Sequence, residues 1–350
     1  MKIAQVAPLV ESVPPQLYGG TERVVSWLTE DLVRRGHDVT LFASGDSRTS
    51  AKLVPAVPRA LRLDSNVRDC LPHNLLLLDQ VYACADDFDI IHFHIDLSHF
   101  PLFRSVAERT VTTLHGVLTS PDLHPFYRHF SEMPLVSISH AQRAPMPPVN
   151  WVATVHHGMP KDLYRPYLEG GGEYLAFVGR ISPEKGVETA IDIAERAQMP
   201  LKIAAKVDNF DREYFDARVK PRLSSRYVEF VGEANDREKN ALLGGARAML
   251  FPIAWPEPFG IVMIEAMACG TPVIAFSCGS VPEVLDQGVT GLIVENAEQG
   301  ARAVQRAVTL DRKLIRRRFE QRFTVEQMTA KYLELYARLL DSRMGAIAAA

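Results

Sequence analysis

Two carboxylates, Glu257 and Glu265, bracket a Pro- and Gly-rich loop in Trp255-Pro-Glu-Pro-Phe-Gly-Ile-Val-Met-Ile-Glu265-Ala-Met-Ala-Cys-Gly-Thr-Pro-Val-Ile-Ala275. The prolines and Gly260 keep the loop out of a helix, whereas the apolar run from Ile261 predicts a short buried helix through Cys269, stopped by Gly270. The start of such a helix carries unpaired backbone N–H groups and a partial positive charge, which suits a phosphate. A carboxylate on each side accepts from hydroxyls. Together they suit a ligand with phosphates in the middle and hydroxyls at both ends, the chemistry of a sugar nucleotide.

A second cluster lies upstream. The strand-like Tyr174-Leu-Ala-Phe-Val178 runs into Gly179-Arg180, and Glu184-Lys185-Gly186 opens the following helix. Gly179 permits a tight turn, and Arg180 and Lys185 then stand at the carboxyl end of a strand, where ligands sit in open α/β sheets. Two cations there neutralise a diphosphate, each charge-assisted hydrogen bond contributing about 1.5–3 kcal/mol. Taken alone, this segment reads equally well as a solvated turn. With Glu257, Glu265 and the later Cys278-Gly-Ser-Val-Pro-Glu283, three strand ends deliver cations, amides and carboxylates to one rim.

The elements that must hold these groups are legible as short apolar runs alternating with helical patterns. Candidate strands are residues 3–8, 38–42, 90–94, 110–114 and 135–139, then 174–178, 201–205, 227–231, 248–252 and 272–276. Such alternation predicts parallel sheets covered by helices, an α/β class. The break falls near Gly170-Gly171-Gly172, so two doubly wound Rossmann-like domains are expected at 1–165 and 172–322. Apolar residues at Val325, Met328, Tyr332, Leu333, Leu335, Tyr336 and Leu339 predict a closing helix with one buried face, and Ser342 to Ala350 read as a frayed tail.

The 350 residues suffice for two domains, and 47% apolar with 23% charged residues is ordinary for a globular protein. A formal charge of −3 argues against a general nucleic-acid binder. Cys70, Cys84, Cys269 and Cys278 show no Cys-x-x-Cys spacing and read as buried free thiols of a cytoplasmic protein. The apolar N-terminal run is short, leads into Glu11 and has no cleavage pattern, so it reads as a first strand rather than a signal segment. No window reaches the ~18 apolar residues of a membrane span.

With its paired glutamates separated by seven intervening residues, Gly179-Arg180 and Glu184-Lys185-Gly186, the chain resembles the retaining glycosyltransferases of family 4. The resemblance is nearly continuous over the second half and looser over the first. It implies the GT-B fold: two Rossmann-like domains with a cleft between them, and a C-terminal helix, here 323–350, crossing back to an N-terminal acceptor domain. In that family's terms Arg180 and Lys185 would hold the donor diphosphate, Glu265 the ribose and Glu257 the transferred sugar. Backbone amides of Phe259, Gly260, Ile261 and Val262 would approach the sugar or phosphates, and the turn at Gly232-Glu233 would edge the base. One departure is Ala204-Ala205-Lys206-Val207-Asp208, where the family has a glycine-rich turn. Bulkier residues there narrow the base pocket or add a cation.

In the first half, Tyr18-Gly19-Gly20-Thr21-Glu22 follows the first strand, with Thr21 as helix cap and the helix starting near Arg23. A Gly-x-Gly-x-x-Gly fingerprint is absent, which argues against a nicotinamide or flavin dinucleotide. The resemblance puts Gly19 and Gly20 beside the acceptor and the leaving phosphate. It gives His115, at the end of residues 110–114, a contact with the donor sugar. By itself that histidine reads as a packing residue. Ser139 and Arg143 would lie near the acceptor.

Metal binding is the weaker reading of His92, His94, Asp96 and His99, because no third ligand stands at fixed spacing. Asp87-Phe-Asp89 reads as a surface turn. The basic run Arg312-Lys313, Arg316-Arg317-Arg318 and Arg322 reads as a solvated helix face, although it could touch an anionic membrane.

The expected activity is metal-independent transfer of a hexosyl group, with retention, from a nucleoside diphosphate sugar to the hydroxyl of a small-molecule, glycan or lipid-linked acceptor. UDP-glucose is favoured over GDP-mannose, and no cofactor is expected beyond the donor. Glu257, His115, Arg180 and Lys185 are the residues assigned to the chemistry. Alternatives are a nucleotide-sugar epimerase, a sugar phosphorylase and a non-catalytic nucleotide-sugar binder. Acceptor and oligomeric state are not encoded in these motifs.

Overall fold

The computed structural model describes residues 1–16, 19–169 and 171–349, so Leu17, Tyr18, Gly170 and Ala350 lie outside the described residues. The chain forms two compact units: residues 1–160 with 325–350, and residues 161–324. The boundary falls before residue 165. Gly171 and Gly172 belong to the second unit, where the Gly172 N–H donates to the Gly245 carbonyl at 2.9 Å. A Cβ on Gly172 would stand 2.0 Å from that oxygen, so glycine serves a close backbone approach there.

In the first unit, β1 (Lys2–Val6), β2 (Asp38–Ser44), β3 (Lys52–Val57), β4 (Ile90–Phe93), β5 (Thr110–Thr113), β6 (Leu135–Ser137) and β7 (Trp151–Thr154) form one sheet. Its order is β3-β2-β1-β4-β5-β6-β7, with every neighbouring pair parallel. The second unit repeats the plan with β8 (Leu175–Arg180), β9 (Leu201–Lys206), β10 (Val228–Gly232), β11 (Ala248–Phe251), β12 (Val273–Phe276) and β13 (Gly291–Val294), in the order β10-β9-β8-β11-β12-β13. Each is a Rossmann-like α/β arrangement in which the order reverses once, between β1 and β4 and between β8 and β11.

All ten candidate strands are present, within a residue or two at each end. The three that sequence reading missed, β3, β7 and β13, are all edge strands. Edge strands are short or half-exposed and lose the continuous apolar signature of a strand covered on both faces. Pro55 in β3 sits where a missing N–H is tolerated.

The segment Val325–Ala349 is one helix of the first unit, and it runs through the residues expected to fray. Ala, Met and Arg are strong helix formers, and they outweigh the single glycine there. Near its start, Arg34 bonds Glu326 Oε1 at 3.1 Å and Arg35 bonds the Glu326 carbonyl at 3.0 Å, while Tyr332 and Tyr336 are buried. No described helix is long and apolar enough to cross a membrane.

Two expectations about polar and thiol groups are corrected. Of the four free cysteines only Cys269 is buried, and burial pushes its thiol up to about 12; Cys70 is exposed because it precedes a helix on the surface. The basic run is not a uniformly solvated face. Lys313 and Arg317 are exposed, but Arg312 and Arg316 are buried against backbone carbonyls. Arg312 donates to the carbonyls of Tyr167 (2.6 Å), Ala246 (3.0 Å) and Gly244 (2.7 Å) and to Thr271 Oγ1 (2.6 Å). Arg316 donates to the carbonyls of Ala268 (2.7 Å), Tyr164 (3.1 Å) and Lys161 (2.7 Å). Gly244 and Ala268 end the helices Asp236–Gly245 and Ile261–Ala268, whose last carbonyls lack helical partners and carry partial negative charge. A flat guanidinium satisfies several at once.

Arg312→Leu is therefore expected to lower stability by about 3 kcal/mol, because several buried acceptors lose a charged donor together. A denaturant titration measures it. A loss under about 1 kcal/mol would show that water or neighbours replace the guanidinium.

Candidate functional site

In the second unit the functional side chains gather at the carboxyl ends of β8 and β11, the two strands flanking the reversal. Arg180 is the last residue of β8 and Lys185 closes the turn Pro183–Lys185. That turn is pinned to the end of β11: the Ala254 N–H donates to the Glu184 carbonyl at 2.9 Å. Gly186, at φ 73°, lies so close to this segment that a Cβ would fall 2.1 Å from the Pro252 carbonyl oxygen. Only glycine combines that left-handed conformation with that approach.

The loop carrying Glu257 is clamped from the far side. Ser280 donates through its N–H to the Glu257 carbonyl and through Oγ to the Phe259 carbonyl, both at 2.9 Å, and Cys278 Sγ reaches the Trp255 carbonyl at 2.9 Å. Gly279, at φ 56°, would place a Cβ 2.4 Å from the Glu257 backbone N and O. The residues after β12 thus fix the loop after β11.

Lys185 Nζ donates to Glu257 Oε2 at 2.5 Å, and Trp255 Nε1 donates to the same oxygen at 2.8 Å; the ammonium also stands 4.9 Å from the Trp255 ring centre. Arg180 bonds Glu184 Oε1 at 2.8 Å and faces Asp211 at 3.4 Å. Burial alone would raise the Glu184 carboxyl; donation from Ser182 (2.7 Å), its own backbone and Arg180 outweighs it and holds the group below its ordinary value. Beside this pair the helix Ile261–Ala268 begins after Gly260, at φ 75°, with no side chain capping its first N–H groups. Cations, carboxylates and a bare helix start are therefore collected here. Cys269 caps the end of this helix, one residue beyond its last turn.

Glu265 lies inside that helix and is buried. Its Oε1 accepts from Lys239 Nζ at 2.6 Å and from the Tyr164 hydroxyl at 3.2 Å, and Lys239 and Tyr164 also reach Asp236 at 3.3 and 3.1 Å. Sequence reading missed Lys239 and Tyr164. The capping box Asn235 to Glu238 carried a usable signal for Lys239, since it fixes a helix start at Asp236 and so puts Lys239 in the first turn. Gly232 and Glu233 stand apart from this gathering: Gly232 ends the edge strand β10, two strands from β8. The extra cation Lys206 is paired with Asp208 at 3.0 Å. Phe259 is buried, its ring 6.0 Å from that of Phe323, so its backbone is what remains for a ligand; Ile261 and Val262 are half-buried in the first helical turn.

In the first unit the reversal lies between β1 and β4, and there a buried polar network replaces the usual apolar packing. His94 Nε2 bonds Gln5 Oε1 at 2.8 Å and His94 Nδ1 bonds His115 Nε2 at 2.9 Å. His92 joins Tyr336 and Thr113, each at 2.7 Å, and Thr113 joins Tyr332 at 2.9 Å. The ring of His157 stacks on His115 at 5.2 Å. The doubling of His115-Gly116 in His157-Gly158, each after a strand, was the overlooked signal. Asp96, at φ 55°, accepts from the His115 backbone N–H; burial nonetheless raises its carboxyl. His99 is elsewhere engaged, bonding Thr112 at 2.9 Å and stacking on Phe93 at 3.7 Å. Among the described residues no three His, Cys, Asp or Glu side chains are grouped to hold a metal ion.

Other expected residues serve local structure. Ser139 caps the turn His140–Arg143 by accepting from the Gln142 N–H at 3.1 Å, and Arg143 bonds Ser137 at 2.7 Å. Asp89 accepts from the Lys2 N–H at 2.8 Å beside the turn Ala85–Asp87. Thr21 is not a cap: the helix Gly20–Arg34 begins earlier, with Gly19 in the cap position, because Glu22 folds against it and a Cβ there would come 2.9 Å from Glu22 Oε2.

Comparison with known proteins gives two adjoining matches. Residues 165–322 match the family described as glycosyl transferases group 1, and residues 18–136 match Glycosyltransferase Family 4. The O-antigen chain mannosyltransferase C of Escherichia coli is 27% identical, covering 94% of this chain and 97% of its own. AviGT4, a glycosyltransferase involved in avilamycin A biosynthesis, superposes with a TM-score of 0.72 at 23% identity, over 97% of this chain and 98% of its own. Anabaena HepE in complex with UDP-glucose gives 0.71 at 18% identity, over 98% and 100%.

Burial holds His92, His94, His99 and His157 well below the ordinary imidazole value and brings His115 to about 3. An unfolded chain takes up protons at these sites as pH falls below about 6.5, while the folded chain does not, so stability is lost with acidification by up to about 1.4 kcal/mol per pH unit for each imidazole. The urea midpoint is expected to fall from pH 7 to pH 5, less steeply in His99→Leu. Equal slopes in the two proteins would contradict this.

Proposed function

Because this chain belongs to the glycosyltransferases, a family 4 segment followed by a group 1 segment on the GT-B fold, we propose that it moves a hexosyl group from a nucleoside diphosphate sugar to an acceptor hydroxyl with retention at the anomeric carbon. One observation carries the proposal: at the reversal between β8 and β11, Arg180, Lys185 and the uncapped start of the helix Ile261–Ala268 converge beside Glu257. Anion-binding groups and a hydroxyl acceptor side by side suit a sugar diphosphate better than either half alone.

The Lys185 to Glu257 bond is exchanged when the donor arrives. Diphosphate oxygens take Lys185 and Arg180, and the released Glu257 carboxylate accepts from a sugar hydroxyl. In the transfer step the acceptor oxygen forms its bond to the anomeric carbon while the carbon–oxygen bond to phosphate breaks. The electron pair stays on the phosphate oxygen, which takes the acceptor's proton on the same face. Negative charge grows on that phosphate, and two fixed cations with the helix N–H groups stabilise it without reorganising. The reaction in this reading is metal-independent, the cations supplying the charge. Glu265 positions the ribose, its Oε1 held by Lys239 and Tyr164. Gly19 and Gly20 face the acceptor side, His115 a sugar hydroxyl, and Gly232 and Glu233 the base.

UDP-glucose is the favoured donor, a reading in keeping with HepE, which is described in complex with it. GDP-mannose is the competing donor, since the E. coli relative is a mannosyltransferase.

Release of UDP or GDP from a panel of sugar nucleotides, with mixed hydroxylated acceptors and with chelator present, tests the reading. Arg180→Ala and Lys185→Ala are each expected to lower kcat about 100- to 1000-fold. Turnover within a few-fold of the wild type in both would contradict the roles, and a product of inverted configuration would contradict retention.

A further inference from the structure

The buried network of the first unit reaches His115 along a path whose donors and acceptors can be assigned bond by bond. Gln5 Nε2 donates to the Tyr336 hydroxyl at 3.4 Å, which turns Gln5 Oε1 toward His94 Nε2 at 2.8 Å. An amide oxygen only accepts, so His94 Nε2 carries a proton. His94 is fully covered and neutral, which leaves its Nδ1 bare. Its partner at 2.9 Å, His115 Nε2, must then be the donor. A neutral His115 has spent its one ring proton, and its Nδ1 is a lone pair that is covered and has no partner among the described residues.

The other branch runs through hydroxyls: His92 meets the Tyr336 hydroxyl through Nδ1 and the Thr113 hydroxyl through Nε2, each at 2.7 Å, and Thr113 meets Tyr332 at 2.9 Å. Hydroxyls both donate and accept, so this branch is compatible with either direction, and the amide on β1 sets the polarity of the branch that reaches His115. A ring flip of His115 would break its bond to His94 and is opposed by the stacked His157 ring.

Resting on the role given to His115 above, we propose that Gln5 and His94 are positioning residues that lock His115 in its Nε2–H tautomer, so that Nδ1 is a fixed acceptor for one hydroxyl of the transferred sugar. Phosphate and carboxylate oxygens are themselves acceptors and gain nothing at a bare nitrogen. A hydroxyl proton does, and it reaches Nδ1 once the covering groups yield to the ligand.

Nitrogen-15 NMR of the full chain labelled at histidine reads the tautomer directly. The wild type is expected to show His115 neutral and protonated at Nε2 alone. Gln5→Met, which removes the acceptor for His94, is expected to give both tautomers, and Gln5→Glu, which keeps an acceptor there, to restore one. In parallel, a set of deoxy donor sugars is assayed with wild type and His115→Ala. One missing hydroxyl should cost the wild type about tenfold in kcat/KM and cost His115→Ala nothing further. His115 protonated at Nδ1 or at both nitrogens in the wild type overturns the tautomer assignment, and a single tautomer in Gln5→Met overturns the part given to Gln5. The expected tautomers together with equal losses on every deoxy sugar in both proteins leave the lock standing and overturn the donor-sugar role of His115.

Discussion

A parallel sheet wound in both directions from its first strand must reverse its order once, and at that reversal two neighbouring strands send their loops to opposite faces. The carboxyl ends of those two strands are where such sheets form a crevice. Arg180, Lys185 and Glu257 all depend on that point. β8 delivers Arg180 and the Glu184-Lys185 turn; β11, its neighbour, delivers Trp255 to Gly260. Lys185 meets Glu257 at 2.5 Å only because these two strand ends adjoin.

Holding unlike charges at such a point requires a rigid frame, since a mobile loop would let each group find water. Three left-handed glycines supply it: Gly186 lets backbone meet backbone at Pro252 and Gly279 does so at Glu257, while Gly260 makes room at the helix start for the Met263 and Phe251 side chains. Behind them Arg312 and Arg316 gather the carboxyl ends of two helices, including the one that starts after Gly260. The same helix is thereby satisfied at its buried end and has no side-chain cap from Gly260 at its start. An unsatisfied helix start is costly unless water or an anion meets it, which ties the stability of this region to its function.

The first unit solves a different problem at its own reversal. There the groups are imidazoles, an amide and phenols, neutral and buried, and their geometry is set by who donates to whom. Charge would be costly in that interior, and burial accordingly keeps the histidines unprotonated. One unit gathers charged groups at its reversal, the other neutral ones.

The alternation of apolar runs, the two glutamates with seven residues between them and the glycines beside Arg180 and Lys185 were all readable without a structure, because strand burial, helix stops and left-handed turns impose local residue choices. The central strands, the helix after Gly260 and the closing helix follow from such choices. The edge strands β3, β7 and β13 do not: β3 and β7 are partly exposed, β13 is only four residues long, and short or half-exposed segments carry weak periodicity. Partnerships between distant residues are equally absent from local pattern: Lys239 and Tyr164 on Glu265, Gln5 on His94, Tyr336 on His92, and Arg312 turned inward from what reads as a charged surface. Sequence alone determined which chemistries were present and which strand ends carried them. Tertiary structure decided which groups meet, because a hydrogen bond or ion pair depends on a few tenths of an ångström between residues that may stand hundreds of positions apart along the chain, and only packing of the sheets sets that distance.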